Sequence, residues 1–271
     1  MIDNDAYPPR EMSAKGKTMK IISLGWGVQS FTMAAMSALG ELEPVDFAIH
    51  ADTGHESQLT YEFAQRWTPW FEDHNLAIKT VINPISDLSR LFHRGQIHIP
   101  AFTKHVNHGD GQLNRSCTQR WKIAPMRSTI RMFLQNGDAV EQWIGISLDE
   151  WQRMKDSDVK YITHRWPLIE KKMTRADCVK WLVSHNLEVP PKSACTFCPF
   201  HETAEWRRIQ NNPHDWKEAV DIDKKIRFAR PGYETYIHPS RRPLEEVDLR
   251  TETEKGQLSL WDSECNGICG V

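Results

Sequence analysis

The apolar run Lys20–Leu24 (KIISL) passes without a linker into the turn Gly25-Trp26-Gly27. A helical pattern follows from Val28 to Leu39, with Gly40 placed to end it. A strand that feeds a glycine turn and then a helix opens a βαβ unit, and that order constrains the chain more than any other feature. Val45–Ala51 (VDFAIHA) reads as a second strand, too continuously apolar to face water. Leu59, Phe63, Trp67, Trp70 and Phe71 put one apolar stripe on the next helix, and Ala77–Asn83 (AIKTVIN) predicts a third strand. After a polar loop, Ile123, Met126, Ile130, Phe133 and Leu134 mark a helix ending near Gly137, and Val140–Ile146 is the next strand. The alternation predicts an α/β fold, a doubly wound, mostly parallel sheet covered on both faces. Ligands of such sheets collect at the carboxyl ends of the strands, where the unusual motifs of this half of the chain fall.

The pattern changes further on. Thr174 and Asp177 form a variant capping box that opens a helix to about Ser184. Pro190-Pro191 breaks the chain ahead of Cys195-Thr196-Phe197-Cys198, and Asn212-Pro213 opens another helix carrying Trp216, Val220 and Ile226. The expected organisation is a flexible leader at 1–18, an α/β domain at 19–170 with the candidate nucleotide motifs, and a smaller helical, cysteine-bearing region at 171–271.

Lys and Arg number 34 against 36 Asp and Glu, a formal charge of −2. That balance excludes a uniformly basic nucleic-acid coat while leaving room for local patches. No run approaches the roughly 18 apolar residues that span a bilayer, so no membrane partner is expected. The polar start lacks the apolar core of a secretory signal, which makes the cytoplasm the expected compartment. Structural disulfides are disfavoured there. The 6 cysteines are then core fillers, reactive thiols or metal ligands.

Three motifs sit where ligands would. In Ser23-Leu24-Gly25-Trp26-Gly27-Val28-Gln29-Ser30 the glycines let backbone approach a phosphate, the helix start offers N–H groups, and Ser23 and Ser30 add hydroxyls. The Lys-Ser/Thr ending of a Walker loop is missing. Asp52-Thr53-Gly54 ends the second strand, where an acid either takes a ribose hydroxyl or caps the next helix. Residues 111–137 hold Arg115, Arg120, Lys122, Arg127 and Arg131 without one acid, which points to an anionic substrate. Cations and a helix start beside Cys117 favour its thiolate. The pair Cys195 and Cys198 has metal-ligand spacing, and Cys265 and Cys269 form a second pair flanked by glycine. Cys178 lies on an apolar helix face beside Trp181 and Leu182 and reads as core. His164 and His201 are alternative ligands. Trp206, Arg207, Arg208, Arg241 and Arg242 form a candidate nucleic-acid surface.

Together these motifs resemble the phosphoadenylyl-sulfate (PAPS) reductase-like family of the adenine-nucleotide alpha-hydrolase, or PP-loop ATP pyrophosphatase, superfamily. Residues 23–30 look like its pyrophosphate loop, usually Ser-Gly-Gly-x-Asp-Ser, with Gln29 in place of the acid and Trp26 at the variable position. Asp52-Thr53-Gly54 looks like its Asp-Thr-Gly. Cys117 through Lys122 to Pro125 is similar to its Cys-x-x-x-x-Lys-x-x-Pro. Gly145 with Asp149, Glu150 and Arg153 resembles the Gly-x-x-x-Asp-Glu-x-x-Arg segment that closes the nucleotide site. The likeness covers roughly residues 20–200, and the later Cys-x-x-Cys is similar to the DNA phosphorothioation sulfurtransferase branch.

The resemblance implies ATP held by Ser23, Gly25, Gly27, Gln29, Ser30, Asp52, Thr53, Gly54, Gly145 and Asp149, with Arg115 and Arg120 on phosphate or substrate. It implies Cys117, Lys122 and Arg153 as catalytic residues. A 4Fe–4S cluster is expected on Cys117, Cys195, Cys198 and Cys265 or Cys269. Zinc on Cys195, Cys198, Cys265 and Cys269 is the alternative, as is a redox tail. The expected activity is adenylylating sulfur transfer, with an adenine nucleotide, a nucleic-acid substrate and a sulfur-donor protein as partners. A sulfonucleotide reductase acting on PAPS or adenylyl sulfate is the alternative enzyme. A catalytically silent nucleotide- or nucleic-acid-binding protein with structural zinc is the alternative of another class, and a dinucleotide oxidoreductase is a distant third.

Overall fold

In the strand Thr18–Ser23 (β1), Ile21 and Ile22 lose all contact with water, as a central strand between two covered faces requires. The computed structural model describes residues 16–82, 92–93, 96–105, 109–251 and 254–255. After β1 come α1 (Val28–Ala38), β2 (Phe47–Asp52), α2 (Gln58–Asp73), β3 (Ile78–Ile82), β4 (Phe92–His93), β5 (Gln96–Ile97), β6 (Phe102–Lys104) and β7 (Gly111–Gln112). Then follow α3 (Ala124–Arg131), β8 (Ala139–Ile144), β9 (Ile162–Arg165), α4 (Pro167–Glu170), α5 (Arg175–Ser184), α6 (Thr203–Gln210), α7 (Pro213–Ile226) and β10 (Glu234–Tyr236).

The chain forms two compact units that interleave in sequence, unlike the sequential division at residue 170. The first draws on Met1–His50, Ala64–Val81 and Met126–Pro191, and the second on Ala51–Phe63, Ile82–Pro125 and Lys192–Val271. Lys17 and Thr18, expected in a leader, belong to the ordered fold. The Lys17 N–H donates to Asp138 at 2.9 Å and Thr18 pairs with Ala139.

The first unit is built on a five-stranded sheet of order β3-β2-β1-β8-β9, with β1 parallel to β2 and β8, and β8 parallel to β9. The α/β class with a mostly parallel sheet is therefore present. Met19, Ile21, Phe47, Ile49, Ile130, Val140 and Ile162 make the core on one face. Gly40, at φ +78°, ends α1 in the left-handed conformation expected of it. Thr174 and Asp177 close both bonds of the capping box that starts α5. On α5, Cys178 is fully buried, and burial pushes its thiol up to about 11, so it serves as core. The third strand stops at Ile82, and Asn83 lies outside the described residues. Leu59, assigned to the apolar stripe of α2, is 42% exposed, while Phe63 and Phe71 are buried.

The second unit holds a three-stranded antiparallel sheet of order β10-β6-β7 beside α6 and α7. Trp121, Phe197, Trp206, Ile209, Ile222 and Ile226 fill its core. Burying Trp206 completely removes it from the surface, so the expected base-stacking role is excluded. Arg207 pairs with Glu254 at 2.9 Å and Arg208 pairs with Glu205. On α7, the buried Asp223 pairs with Arg227 and accepts N–H bonds from Ile237 and Leu244, both at 3.0 Å. One carboxylate thus fastens β10 and the turn after it to α7.

Removing Asp223 would leave Arg227 buried without its partner and two N–H groups unsatisfied. We expect Asp223→Ala to cost about 3–5 kcal/mol, read by urea unfolding. A loss below about 1 kcal/mol would show that this node is not structural.

Candidate functional site

In the first unit, the sheet order reverses between β1 and β8, which makes their carboxyl ends the topological switch point. The loop after β1 turns there. Gly27 is the N-cap of α1, no side chain caps that helix, and its first turn has no acid. The opening of α1 is therefore an N–H-rich end suited to an anion. The Ser30 hydroxyl closes the loop on itself, accepting from Gly25 N–H at 3.1 Å and donating to the Gly27 carbonyl at 3.2 Å. Ser23 accepts from Gln142 at 2.6 Å. Trp26 sits at φ +57° with its ring buried against Phe31, His50 and Phe71. The left-handed backbone turns that ring into the core, which accounts for a tryptophan inside a phosphate-type loop.

The loop after β8 closes on the first. A Cβ on Gly145 would lie 2.7 Å from the Ser30 nitrogen and 2.8 Å from its Cα, so only glycine fits. Gln29 bridges the same two segments. Its amide nitrogen donates to Glu150 at 3.0 Å and Ser147 at 3.4 Å, while its oxygen accepts from Arg175 at 2.9 Å. Arg153 pairs with Glu150 at 2.7 Å, and Asp149 accepts from the Arg175 N–H at 3.0 Å. Hydrogen bonds from Ser147 and the Arg175 backbone hold the Asp149 carboxyl below the usual range. Ser23, Gly25, Gly27, Gln29, Ser30, Gly145, Asp149 and Arg153 thus all lie in one unit, on the segments that follow β1 and β8. Glu150, Ser147 and Arg175 complete the network. Nothing in the spacing singled out Ser147 or Arg175, because Arg175 comes from the start of α5.

The second unit gathers the thiols. Cys117 precedes a π-helical turn, Thr118–Ile123, that runs into α3. Pro125 has no N–H, so the Trp121 carbonyl cannot accept the ordinary i+4 bond, and a wider turn results. Lys122, within that turn, reaches the Glu56 carboxylate at 2.9 Å. Glu56 is buried to 1% of its side chain and also accepts from Ser193 at 3.3 Å. Burial works against the Lys122 ammonium, yet Glu56 and the neighbouring Cys195 overcome it and hold the lysine above its usual value.

Glu56 forms an antiparallel bridge with Cys195, and Thr53 Oγ1 lies 3.4 Å from the Cys195 sulfur. His55 pairs with Glu218 at 2.8 Å, and Thr196 donates to the same carboxylate at 2.6 Å. Burial, reinforced by Glu56, pushes the Cys195 thiol up. Burial also raises Cys198, with Cys117 adding to it against the Phe200 N–H and Arg115. His201 donates from Nε2 to the Cys195 carbonyl at 2.8 Å, so it braces the cysteine turn. His164, expected as another ligand, bonds the Lys155 carbonyl at 2.7 Å in the first unit.

Asp52 is committed locally, accepting from Gly54 N–H and the Tyr61 hydroxyl, both at 2.8 Å. The segment from Asp52 to Glu56 thus braces the cysteines, a role that composition did not signal. Arg115 lies over the Phe200 ring at 5.5 Å, and Arg120 is exposed.

Cys117, Cys195 and Cys198 belong to one unit, where Cys117 and Cys195 pack against its core, and thiols are soft donors of the kind a metal centre takes. Among the described residues no three His, Cys, Asp or Glu side chains are grouped to hold a single metal ion. Cys265 and Cys269 lie outside the described residues. No described helix is long and apolar enough to cross a membrane.

No family model matches the chain, and no curated protein matches it. Among ten matching solved chains is a U34-tRNA thiolase, NcsA from Methanococcus maripaludis with its 4Fe–4S cluster. It is 13% identical over 86% of this chain and 74% of its own, with a TM-score of 0.42. A likeness that distant leaves the reading of this chain to its own residues.

Two substitutions test the geometry. Gly145→Ala forces backbone into backbone, so a loss of about 1–3 kcal/mol in thermal unfolding is expected. Glu56→Gln leaves the partly exposed Lys122 to water, so calorimetry should show a smaller loss of about 1–2 kcal/mol. A neutral result in either would remove the corresponding contact from the account.

Proposed function

We propose that the chain is an ATP-dependent, adenylylating sulfur-transfer enzyme of the PAPS reductase-like, PP-loop type. The observation that carries this is the uncapped α1 N-terminus at the switch point, closed over by Gly145, in a chain that also gathers three thiols about Lys122. ATP would lie on residues 23–30 with its phosphates toward the α1 N–H groups, and Arg153 and Arg175 would neutralise phosphate charge. Within the second unit, Arg115 and Arg120 would contribute to binding an anionic substrate, while Asp52, Thr53 and Gly54 brace the cysteine turn.

An acceptor oxygen attacks the α-phosphorus, the bond to the bridging oxygen of pyrophosphate breaks, and pyrophosphate leaves. Sulfur then attacks the activated carbon and AMP departs with the oxygen. Cys117, Cys195 and Cys198, with Cys265 or Cys269, would hold a 4Fe–4S cluster. Held by Cys117, Cys195 and Cys198 alone, that group would supply one iron open to a transferable sulfide, a position that a fourth cysteine would close. Lys122, held above its usual value by Glu56, would keep a positive charge beside the thiols. A sulfur-donor protein and a nucleic-acid acceptor are the partners this chemistry asks for, and a cytoplasmic setting suits its reduced thiols.

The reading is tested on protein purified without oxygen. We expect about four irons and matching acid-labile sulfide per chain. Cys117→Ala and Cys198→Ala should each lose the iron, and ATP with acceptor should release pyrophosphate and AMP. A colourless protein with one zinc per chain, inert to ATP, would overturn it in favour of the silent nucleotide-binding alternative. Sulfite released from adenylyl sulfate without ATP would assign the chain to the sulfonucleotide reductases instead.

A further inference from the structure

Residues 224–242 carry six cations, Lys224, Lys225, Arg227, Arg230, Arg241 and Arg242, and one acid, Glu234, in a chain whose net charge is −2. Arg227 is consumed by Asp223 and the Tyr236 ring, and Arg241 by Asp110 at 3.3 Å. Lys224 pairs with Glu245 at 2.8 Å, while Lys225, Arg230 and Arg242 face solvent, as does Lys104 of β6. Among them stands Phe228, 75% exposed, just past the end of α7. It lines two clefts of the second unit. One, of about 480 Å³, is shared with Lys104, His105, Arg230 and Tyr233; the other, of about 460 Å³, is shared with Lys224 and Tyr236. Flat surfaces recur there: His105 lies 4.5 Å from the Tyr233 ring, and Arg230 covers that ring at 4.1 Å.

A large apolar ring kept in water within a cationic field suits a ligand that offers both flat rings and negative charge. Duplex bases are stacked inside and cannot meet Phe228, so the ligand's bases must be unpaired. Glu234 lines both clefts and sharpens the choice. Its carboxylate accepts one bond from Tyr236 and keeps further lone pairs. It would repel a phosphate, but it suits a ribose 2′-hydroxyl, the group that separates RNA from DNA. We propose that this Phe228-centred face binds single-stranded RNA, an unpaired base stacking on Phe228 and phosphates meeting Lys104 and Arg230. The sulfur-transfer reading is needed only to say what bound RNA is for; the binding stands apart from it.

The test is fluorescence anisotropy with full-length protein, without ATP, and a labelled RNA of about 12 nucleotides. Controls are the DNA of the same sequence, the RNA duplex, and phosphatidylserine vesicles. The RNA should bind, and raising salt from about 50 to 200 mM should weaken it. Phe228→Ala should lose at least about fivefold with an unchanged melting temperature. Arg230→Ala should lower the salt slope by about one, and Glu234→Gln should bring RNA and DNA together. Equal binding of DNA or duplex by the parent protein, preference for vesicles, or a Phe228→Ala variant that binds as well would each overturn the proposal. Iron content and pyrophosphate release do not enter these measurements, so failure of the activity and failure of the surface are read separately.

Discussion

The second unit is organised around a carboxylate that should be costly. Glu56 is buried to 1% of its side chain, and an unpaired charge at that depth would lose far more hydration than packing returns. Lys122 at 2.9 Å makes the position tenable. The pair also joins three stretches far apart in sequence: Glu56 from the loop between β2 and α2, Lys122 from the turn after Cys117, and Cys195, whose backbone bridges to Glu56. One ion pair therefore sets the distance between the Cys117 segment and the Cys195–Cys198 turn. His55, Thr53 and His201 refine the placement of that turn through Glu218, the Cys195 sulfur and the Cys195 carbonyl.

The same arrangement changes the meaning of the Asp52–Glu56 segment. Read as a motif, its first residue draws attention as a ribose ligand. In the fold, Asp52 is held by Gly54 and Tyr61 while Thr53, His55 and Glu56 all turn toward the cysteines. The segment that follows this strand thus positions the Cys195–Cys198 turn.

What was legible in the sequence follows the range of the interactions. The strand–turn–helix start, the Gly40 stop, the Thr174 capping box and the Asn212 cap are local, and each is present. The buried Cys178 was legible from its helix face. Trp206 was misread because an amphipathic helix shows which residues share a face, not which face turns inward. The π turn escaped because its cause, Pro125, acts on a carbonyl four residues back. Glu56, Ser147, Arg175 and Glu218 escaped because their partners come from other elements, which no periodicity reports. The interleaved units escaped for the same reason.

Gln29 is the side chain that ties the loop after β1 to its neighbours. Glu150 stands 3.0 Å from its amide nitrogen and Arg175 2.9 Å from its oxygen, so each end of the amide meets its complement. An aspartate at 29 would bring a second carboxylate toward Glu150, and two such groups at close range cannot both ionise without cost. The neutral amide ties Glu150 beside the loop through a donor that a carboxylate lacks. Residue 29 is thus the link between the loop and the segment that closes over it.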